Sequence, residues 1–553
     1  MYLLTLHEDS NANLTLFKDS QIIFSVAEER LSRRKYQGGF PTRSLRLGLE
    51  TFGLTLKDMD IIICANKFHP LPRILWDKFP VFEHSFLGPA QKIAVYYQHA
   101  ILKNKFLQNS VEIFNKLMLK GKFKRPVDLT EHHVAHAYSA YLTSGFDQAL
   151  AITTDNFGDG LSSAVFTCND GRCKFIYGSS ALSSPGQFYG EIAQALGFHP
   201  LLAGKMTGLA GYGDPFVAYD LIKGLFSLTK DRKDFQLPPL IWKFPNRGVY
   251  RKLRDYKKED IAAASQRRFE EVMLEYVLEA IRATGLSSLA LAGGVFGNVR
   301  LNQKIAQLKE VKEIFIHPGM NDQGISLGVG LKYLAETAGL KPFKLKTIYW
   351  GPEYSNARIE SSLKKEKLHY SYVENIDLTL AKLLSEGKTI ARFNGRMEYG
   401  PRALGNRSIL YQATDPKVND WLNKKLRRAE FMPFAPVTLQ EYADKCYLNI
   451  EHVKHNAKFM TISVDCTEWM KSISPAVVHI DGTARPQLIQ ENDNPSYYKI
   501  LKEYHRLTGI PSLINTSFNM HEEPIVAGPE DAIRAFKAAQ LDYLAIGNYL
   551  ANL

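Results

Sequence analysis

Residues 2–30, YLLTLHEDSNANLTLFKDSQIIFSVAEER, carry the first expectation for the fold. YLLTL (2–6) and NLTLF (13–17) are short apolar runs on either side of a polar stretch. They read as paired strands with His7, Glu8 and Asp9 at the connecting turn. QIIFSVA continues as a third strand and runs into EERLSRRK (28–35), where Arg33, Arg34 and Lys35 stand together. A solvated face accounts for any one of those three charges.

A strand, turn, strand, strand opening is compatible with an actin-like ATPase or ribonuclease H-like half-domain, although periodicity by itself does not establish that fold. The chain has 553 residues, too many for one core, so two or three domains are expected. Hydrophobic residues make up 45% and charged residues 23%, ordinary for a soluble globular protein. The formal charge of +12 fits nucleic acid, anionic lipid or small polyphosphates as partners. Because the positive charge is scattered and long Lys/Arg blocks are missing, small anionic substrates are favoured. The five cysteines (Cys64, Cys168, Cys173, Cys446, Cys466) are irregularly spaced and read as reduced thiols of a cytoplasmic protein. Cys168 and Cys173 flank NDG, a hairpin-turn signal. The N-terminus reads as strand, not signal peptide, and no apolar run approaches the roughly 20 residues that span a bilayer.

Farther along, EHHVAHAYSAYLTS (131–144) reads as a helix that puts His132 and His136 on one face, the spacing of helical metal sites. ALAITTD (149–155) is a strand that delivers Asp155 at its end, and SAVFTCNDGRCKFIYG completes a hairpin. Residues 85–125 and 266–283 read as helical, and GKMTGLAGYGDP (204–215) as a Gly-rich connector open to a ligand. SSLALAGGVFGNVRLNQKIAQL (287–308) gives strand, glycine turn and helix, so that amides near Gly293 and Gly294 could approach a ligand. EIFIHPGMNDQGISLGVGLKYL (313–334) repeats the pattern with Asp322 in the loop, where it could instead cap the helix. Two imidazoles and two carboxylates, His132, His136, Asp155 and Asp322, would suit iron, zinc or manganese.

Near residue 345 proline and polar punctuation suggest a junction, which divides the chain into 1–345 and 346–553. In the second part, RFNGRMEYGPRALGNRSIL (392–410) follows a short strand and interleaves Arg396, Glu398, Arg402 and Arg407 with Gly395, Gly400, Pro401 and Gly405. Such a loop suits phosphate or carboxylate oxygens. Lys425, Arg427 and Arg428 in KKLRRAEFMPFAPVTL, Arg485 in HIDGTARPQLI, and Asn515, Thr516, Ser517 and Asn519 in INTSFN add donors for a nucleotide or phosphate pocket.

Taken in order, EERLSRRK, HHVAHA, GGVFGN, GMNDQG, NGRMEYGPRALGNRSIL, EFMPFAPV, DGTARPQ and INTSFN with EPIV resemble the O-carbamoyltransferase family of nodulation and antibiotic-tailoring enzymes. The resemblance implies an α/β protein: an actin-like (ASKHA, duplicated ribonuclease H-like) N-terminal domain and a YrdC-like C-terminal domain. It implies that 346–553 uses carbamoyl phosphate and ATP, with Mg2+, to make carbamoyl-adenylate. Residues 1–345 would then transfer the carbamoyl group to a hydroxyl of a small natural-product or sugar acceptor, aided by Fe2+ or another divalent transition metal. Carried over by position, the metal ligands would be His132, His136, Asp155 and Asp322. His7 would be general base or orient the acceptor, and Lys35 would lie near the transfer site. Arg402, Arg485, Asn515 and Ser517 would bind carbamoyl phosphate and nucleotide, with Gly293, Gly294 and Asn298 as further contacts. Met432 stands where many members carry arginine, so Lys425, Arg427 or Arg428 would supply that phosphate contact. HEDS here replaces HDAS, and GGVFGN the commoner GGVALN.

The chemistry is sound in physical terms. Joining two polyanions calls for cations at the phosphates, and a histidine near a hydroxyl can take its proton at neutral pH. Two other readings compete. One is a threonylcarbamoyl-type transferase on tRNA, supported mainly by the basic pI of about 9.1. The other is a non-catalytic nucleotide-binding protein. No nucleic acid or membrane partner is expected, because neither a clustered basic stripe nor an aromatic RNA-binding motif is seen. A homo-oligomer is compatible with the sequence.

Overall fold

A computed structural model describes residues 1–68, 100–237, 249–428 and 434–553. Met432 and residues 85–99 of the stretch read as helical lie outside the described residues. The chain separates into two compact units, 1–28 with 36–345, and 29–35 with 346–553.

The first unit is built on two sheets of like topology. Strands β1 (Tyr2–His7), β2 (Asn13–Lys18), β3 (Gln21–Ala27), β4 (Ile61–Ala65) and β5 (Asp128–Thr130) form one sheet in the order β3-β2-β1-β4-β5. β1 and β2, and β2 and β3, run antiparallel, whereas β4 lies parallel to β1 and β5 parallel to β4. The second sheet uses β6 (Gln148–Gly158), β7 (Leu161–Asn169), β8 (Arg172–Ser180), β9 (Ser288–Ala292) and β10 (Glu313–Ile316) in the order β10-β9-β6-β7-β8. Again the first three strands are antiparallel neighbours, and the last two join in parallel beside the first. A three-stranded meander extended by two parallel strands, present twice, is the duplicated ribonuclease H-like plan of actin-like proteins.

Composition explains the layers. Leu3, Leu4 and Leu6 of β1 and Leu289, Ala290 and Leu291 of β9 are fully buried, as expected of central strands covered on both faces. Each such leucine contributes about 1.5–3 kcal/mol on burial. Helices α1 (His132–Ser144), α2 (Lys258–Thr284), α3 (Val299–Ala306) and α4 (Ile325–Ala338) supply the cover. α4 lies against α1 at close range: a Cβ on Gly328 would stand 1.9 Å from the Ala135 carbonyl oxygen, so that crossing admits only glycine. α2 begins eight residues before the expected 266, and residues 204–210 of the Gly-rich connector are helical.

One expectation is overturned. Cys168 and Cys173 face each other across β7 and β8 and are joined as a disulfide, with Cα atoms 4.1 Å apart. The NDG turn places them in direct register, which irregular spacing along the chain conceals. Cys64, Cys446 and Cys466 are reduced and buried.

The second unit is mixed α/β. Its sheet takes β11 (His369–Tyr372), β12 (Ile390–Phe393), β13 (Arg407–Gln412), β14 (Ala435–Leu439), β15 (Gln487–Ile489), β16 (Ser512–Ser517), β17 (Tyr543–Ile546) and β18 (Tyr549–Asn552) in the order β11-β18-β17-β12-β13-β16-β14-β15. Helices α5 (Ile376–Ser385) and α7 (Pro495–Thr508), separated by α6 (Val418–Lys425), press Leu380, Leu384, Tyr497, Ile500 and Tyr504 onto Ile390, Leu410, Val437 and Leu513. α8 (Pro529–Ala539) starts with proline at its first turn. Among the described residues no helix is long and apolar enough to cross a membrane.

Candidate functional site

In the first unit β6 ends in a register irregularity between Thr154 and Gly158, and Asp155 projects from it. α1 begins beside it because the Asp159 carboxylate accepts the amide of His132 at 2.9 Å, together with those of Lys67 and Phe68. Gly158 lets the strand pass the helix: a Cβ there would stand 2.1 Å from His132 Cγ. Asp322 comes from the loop before α4. Its neighbour Asn321 makes the side-chain cap on Gln323, which leaves the Asp322 carboxylate to point inward.

These elements bring His132, His136, Asp155 and Asp322 together, with one ligand atom of each lying within 4.8 Å of the others. His136 Nε2 is 3.3 Å from Asp155 Oδ2 and 3.6 Å from Asp322 Oδ1. His132 Nε2 is 3.9 Å and 3.7 Å from the same two atoms. The Nδ1 of His132 donates to Asn66 Oδ1 at 3.1 Å, which leaves its lone pair on Nε2 facing the carboxylates. The buried Nε2 atoms of both histidines and Oδ1 of Asp322 have no hydrogen-bond partner. Lone pairs turned on carboxylates, buried and unsatisfied, call for a cation between them. The donor set fits a divalent metal, and this cluster is a candidate metal site.

Electrostatics agree. Burial lowers the pKa of His136, but Asp155 and Asp322 outweigh it and raise the imidazole to about 9. Burial pushes Asp322 up, with the Asp155 charge next; Asp155, also opposed by burial, is held well below the carboxylate range by His132 and His136. The histidines are enclosed, whereas Asp155 and Asp322 keep 14% and 16% of their side chains exposed, so access is from the carboxylate side. The remaining histidine of HHVAHA, His133, is turned away to Thr153 Oγ1 and the Leu161 carbonyl.

His7 lies beside this cluster. Its Nε2 is 3.0 Å from the Ser10 carbonyl oxygen, to which it donates, and 3.9 Å from Asp322 Oδ2. Gly294 is here too, its amide donating to Asp155 Oδ2 at 3.1 Å, while the Gly293 amide is taken by the Met320 carbonyl. The Asn298 side chain caps α3 and bonds Gln266. Lys35 belongs to the second unit, where it is exposed.

In the second unit most of the arginines in 392–410 serve the loop itself. Arg407 donates to the carbonyls of Asn394, Asn406, Pro352 and Gly395. Arg392 donates to the Gly405 carbonyl, Asn406 and Ser496, and Arg396 to the Gly351 and Trp350 carbonyls. The buried Glu398 carboxylate accepts the amides of Leu404, Asn406 and Arg407.

Arg402 and Arg485 are different. They are near enough that the Arg402 charge, after burial, drives the Arg485 guanidinium well below its ordinary value. Among the described residues no carboxylate pairs with Arg485, and its Nε has no hydrogen-bond partner. Asn515 ties the two segments by donating to the Ala403 carbonyl and to Gln487 Oε1, while Gln487 donates to the Leu404 carbonyl. Ser517 follows on the same face of β16, and Arg428 donates to it, to Thr516 Oγ1 and to Asn519 Oδ1. Lys425 does not join this group: its ammonium is spent on the Gln540 carbonyl. Arg427 is exposed.

Sequence reading missed Asn66, Asp159 and Gln487, and named Glu398 in the basic loop without its part in accepting the amides of Leu404, Asn406 and Arg407. Only Asp159, in the FGDG turn, carried a local signal.

Residues 4–331 match the carbamoyltransferase N-terminus and residues 381–552 the carbamoyltransferase C-terminus. An uncharacterized protein of Methanocaldococcus jannaschii is 34% identical over 500 residues, covering 83% of this chain and 80% of its own. Nodulation protein NolNO of Sinorhizobium fredii is 31% identical over 557 residues, covering 97% of this chain and 78% of its own. Among solved structures, T. kodakarensis HypF aligns over 61% of this chain and 49% of its own at 13% identity, with a TM-score of 0.37. On the two matched regions and these relatives, the chain belongs to the carbamoyltransferase family.

Proposed function

We propose that the protein is an ATP-dependent O-carbamoyltransferase acting on a hydroxyl of a small-molecule acceptor. The observation that carries the reading is the Arg402–Arg485 pair: two like charges close together, with no carboxylate pairing Arg485 among the described residues, and with Asn515 tying their segments. An oxyanion bound between them would relieve their repulsion. Carbamoyl phosphate and the phosphates of ATP, the latter with Mg2+, have that character.

In balance, water releases phosphate from carbamoyl phosphate. An oxygen of the resulting carbamate attacks the α-phosphorus of ATP, and the bond to pyrophosphate breaks. Arg402 and Arg485 would neutralise the approaching anions and the charge on the departing group, while Asn515 keeps their segments in place. In the second half-reaction the acceptor oxygen attacks the carbamoyl carbon, adenylate leaves, and the acceptor proton must be taken up. We assign that role to His7: with Nε2–H given to the Ser10 carbonyl, Nδ1 would be its basic nitrogen. His132, His136, Asp155 and Asp322 would hold a divalent transition metal, Fe2+ being the expected ion. When bound, that ion supplies Lewis acidity for a carbonyl oxygen.

Incubation of the protein with carbamoyl phosphate, ATP and Mg2+ tests the reading by mass spectrometry. Carbamoyl-adenylate and pyrophosphate are expected without any acceptor. Folded, metal-loaded protein that yields neither overturns the proposal and returns weight to a tRNA-directed or non-catalytic role.

A further inference from the structure

The segment 29–35, in EERLSRRK, leaves the first unit after Glu28 and packs within the second. Arg30 is 4% exposed, and its Nη2 donates to the Gly400 carbonyl at 2.9 Å, two residues before Arg402. Its positive charge also faces the Glu398 carboxylate that organises the amides of Leu404, Asn406 and Arg407. Leu31 packs on Met397, Ala403, Ile525 and Ala527. Arg33 closes the other side, donating to the carbonyls of Pro524 at 2.6 Å and Ile525 at 2.7 Å, with Asp531 at 3.3 Å from its Nε. Asn519, which accepts from Arg428, donates to the carbonyl of Glu523, next to Pro524.

This short helical turn and the residue after it therefore grip both the loop that carries Arg402 and the strand exit that follows Ser517. We infer that Arg30 and Arg33 are positioning residues for the carbamoyl-phosphate and nucleotide cleft, so that this N-terminal motif governs the first half-reaction. Each fixes backbone through carbonyl oxygens, and a loop displaced by about 1 Å can lose two orders of magnitude in rate. The inference rests on the proposed function for its kinetic arm only.

The experiment uses the full chain with Arg30→Ala, Arg30→Lys and Leu31→Ala. Pyrophosphate release is measured against carbamoyl phosphate concentration, and transfer from supplied carbamoyl-adenylate is measured separately. Arg30→Ala should raise the KM for carbamoyl phosphate or lower kcat of pyrophosphate release by at least about tenfold, with transfer from supplied adenylate unchanged. Arg30→Lys, which can still donate to the Gly400 carbonyl, should recover most of the loss. Equal losses in both half-reactions, or no loss in pyrophosphate release, overturns the inference. Amide hydrogen exchange across 398–406 separates this from failure of the proposed function: exchange should quicken in Arg30→Ala and return in Arg30→Lys even if the wild type makes no adenylate. If Arg30→Ala does not fold, Leu31→Ala takes its place with the same two expectations. Exchange unaltered in every folded variant sinks the idea.

Discussion

His136 Nε2 stands 3.3 Å from Asp155 Oδ2, the imidazole fully buried and neither of its nitrogens otherwise bonded. A contact of that kind holds either a proton or a metal ion. Metal-depleted protein should therefore take up one divalent transition ion, with proton release. Asp322→Asn and His136→Gln should each weaken uptake by at least about a hundredfold while leaving pyrophosphate formation intact. Elemental analysis after dialysis against each metal decides it. Full occupancy in both variants would remove the cluster from the metal assignment.

Gly158→Ala tests the same cluster without touching a ligand. The added Cβ would overlap His132 at 2.1 Å from Cγ, so either the ring or the strand must move. Overpacking of this kind costs about 1–3 kcal/mol, and displacing His132 should lower metal affinity about tenfold or more. A variant with unaltered affinity and thermal midpoint would mean that the strand yields freely there.

Much of this was readable from residues. Leu3, Leu4 and Leu6 declare β1, and the four-residue step from His132 to His136 declares a shared helical face. What could not be read is which of several arginines are taken up by backbone carbonyls. Arg407 and Arg402 stand five residues apart in one basic loop. The Asn394, Gly395 and Asn406 carbonyls of that loop, joined by the Pro352 carbonyl from a segment whose approach has no local signature, make the first structural. The same blindness hid the assignment of Arg30 and Arg33 to the second unit, since chain order places them amid residues of the first. The pairing of Cys168 with Cys173 depended on hairpin register, which a spacing rule for metal ligands does not consult.

Arg407→Lys and Arg485→Lys should consequently fail in opposite ways. A lysine cannot replace four carbonyl contacts from one planar fork, so Arg407→Lys should destabilise the protein by about 3 kcal/mol. Arg485→Lys, which loses no such network, should stay within about 1 kcal/mol of wild-type stability yet form pyrophosphate at least about a hundredfold more slowly. Urea unfolding and a pyrophosphate assay on the two variants separate the roles. The reverse pattern would exchange them.

Acid should destabilise the fold through His317. It is fully buried against Thr143 Oγ1, and burial, with His136 second, lowers its pKa from 6.5 to about 3. The unfolded chain binds that proton more readily, so the contribution of neutral His317 is complete above pH 6.5 and is lost as pH falls towards 3. The slope is up to about 1.4 kcal/mol per pH unit for one proton. His133, also lowered to about 3 by burial, adds a second proton in the same window. His317→Gln should change the pH dependence of the urea midpoint between pH 7 and pH 5 by about one proton relative to the wild type. An unchanged slope in that variant would assign the acid sensitivity elsewhere.

His7 sits 3.9 Å from the Asp322 carboxylate and is fixed by Ser10, close to the candidate metal cluster but outside its four donors. On the proposed chemistry its loss should leave carbamoyl-adenylate formation at the wild-type rate and slow transfer by about 10²–10⁴-fold, the range of a general base. His7→Gln separates proton transfer from orientation. The amide can still donate to the Ser10 carbonyl, so recovery of transfer in His7→Gln would make His7 an orienting residue. Continued loss, with metal content unchanged, would make it the base. Parallel loss of metal in His7→Ala would show instead that the residue belongs to the architecture of the cluster, and the acceptor proton would then have to leave by another route.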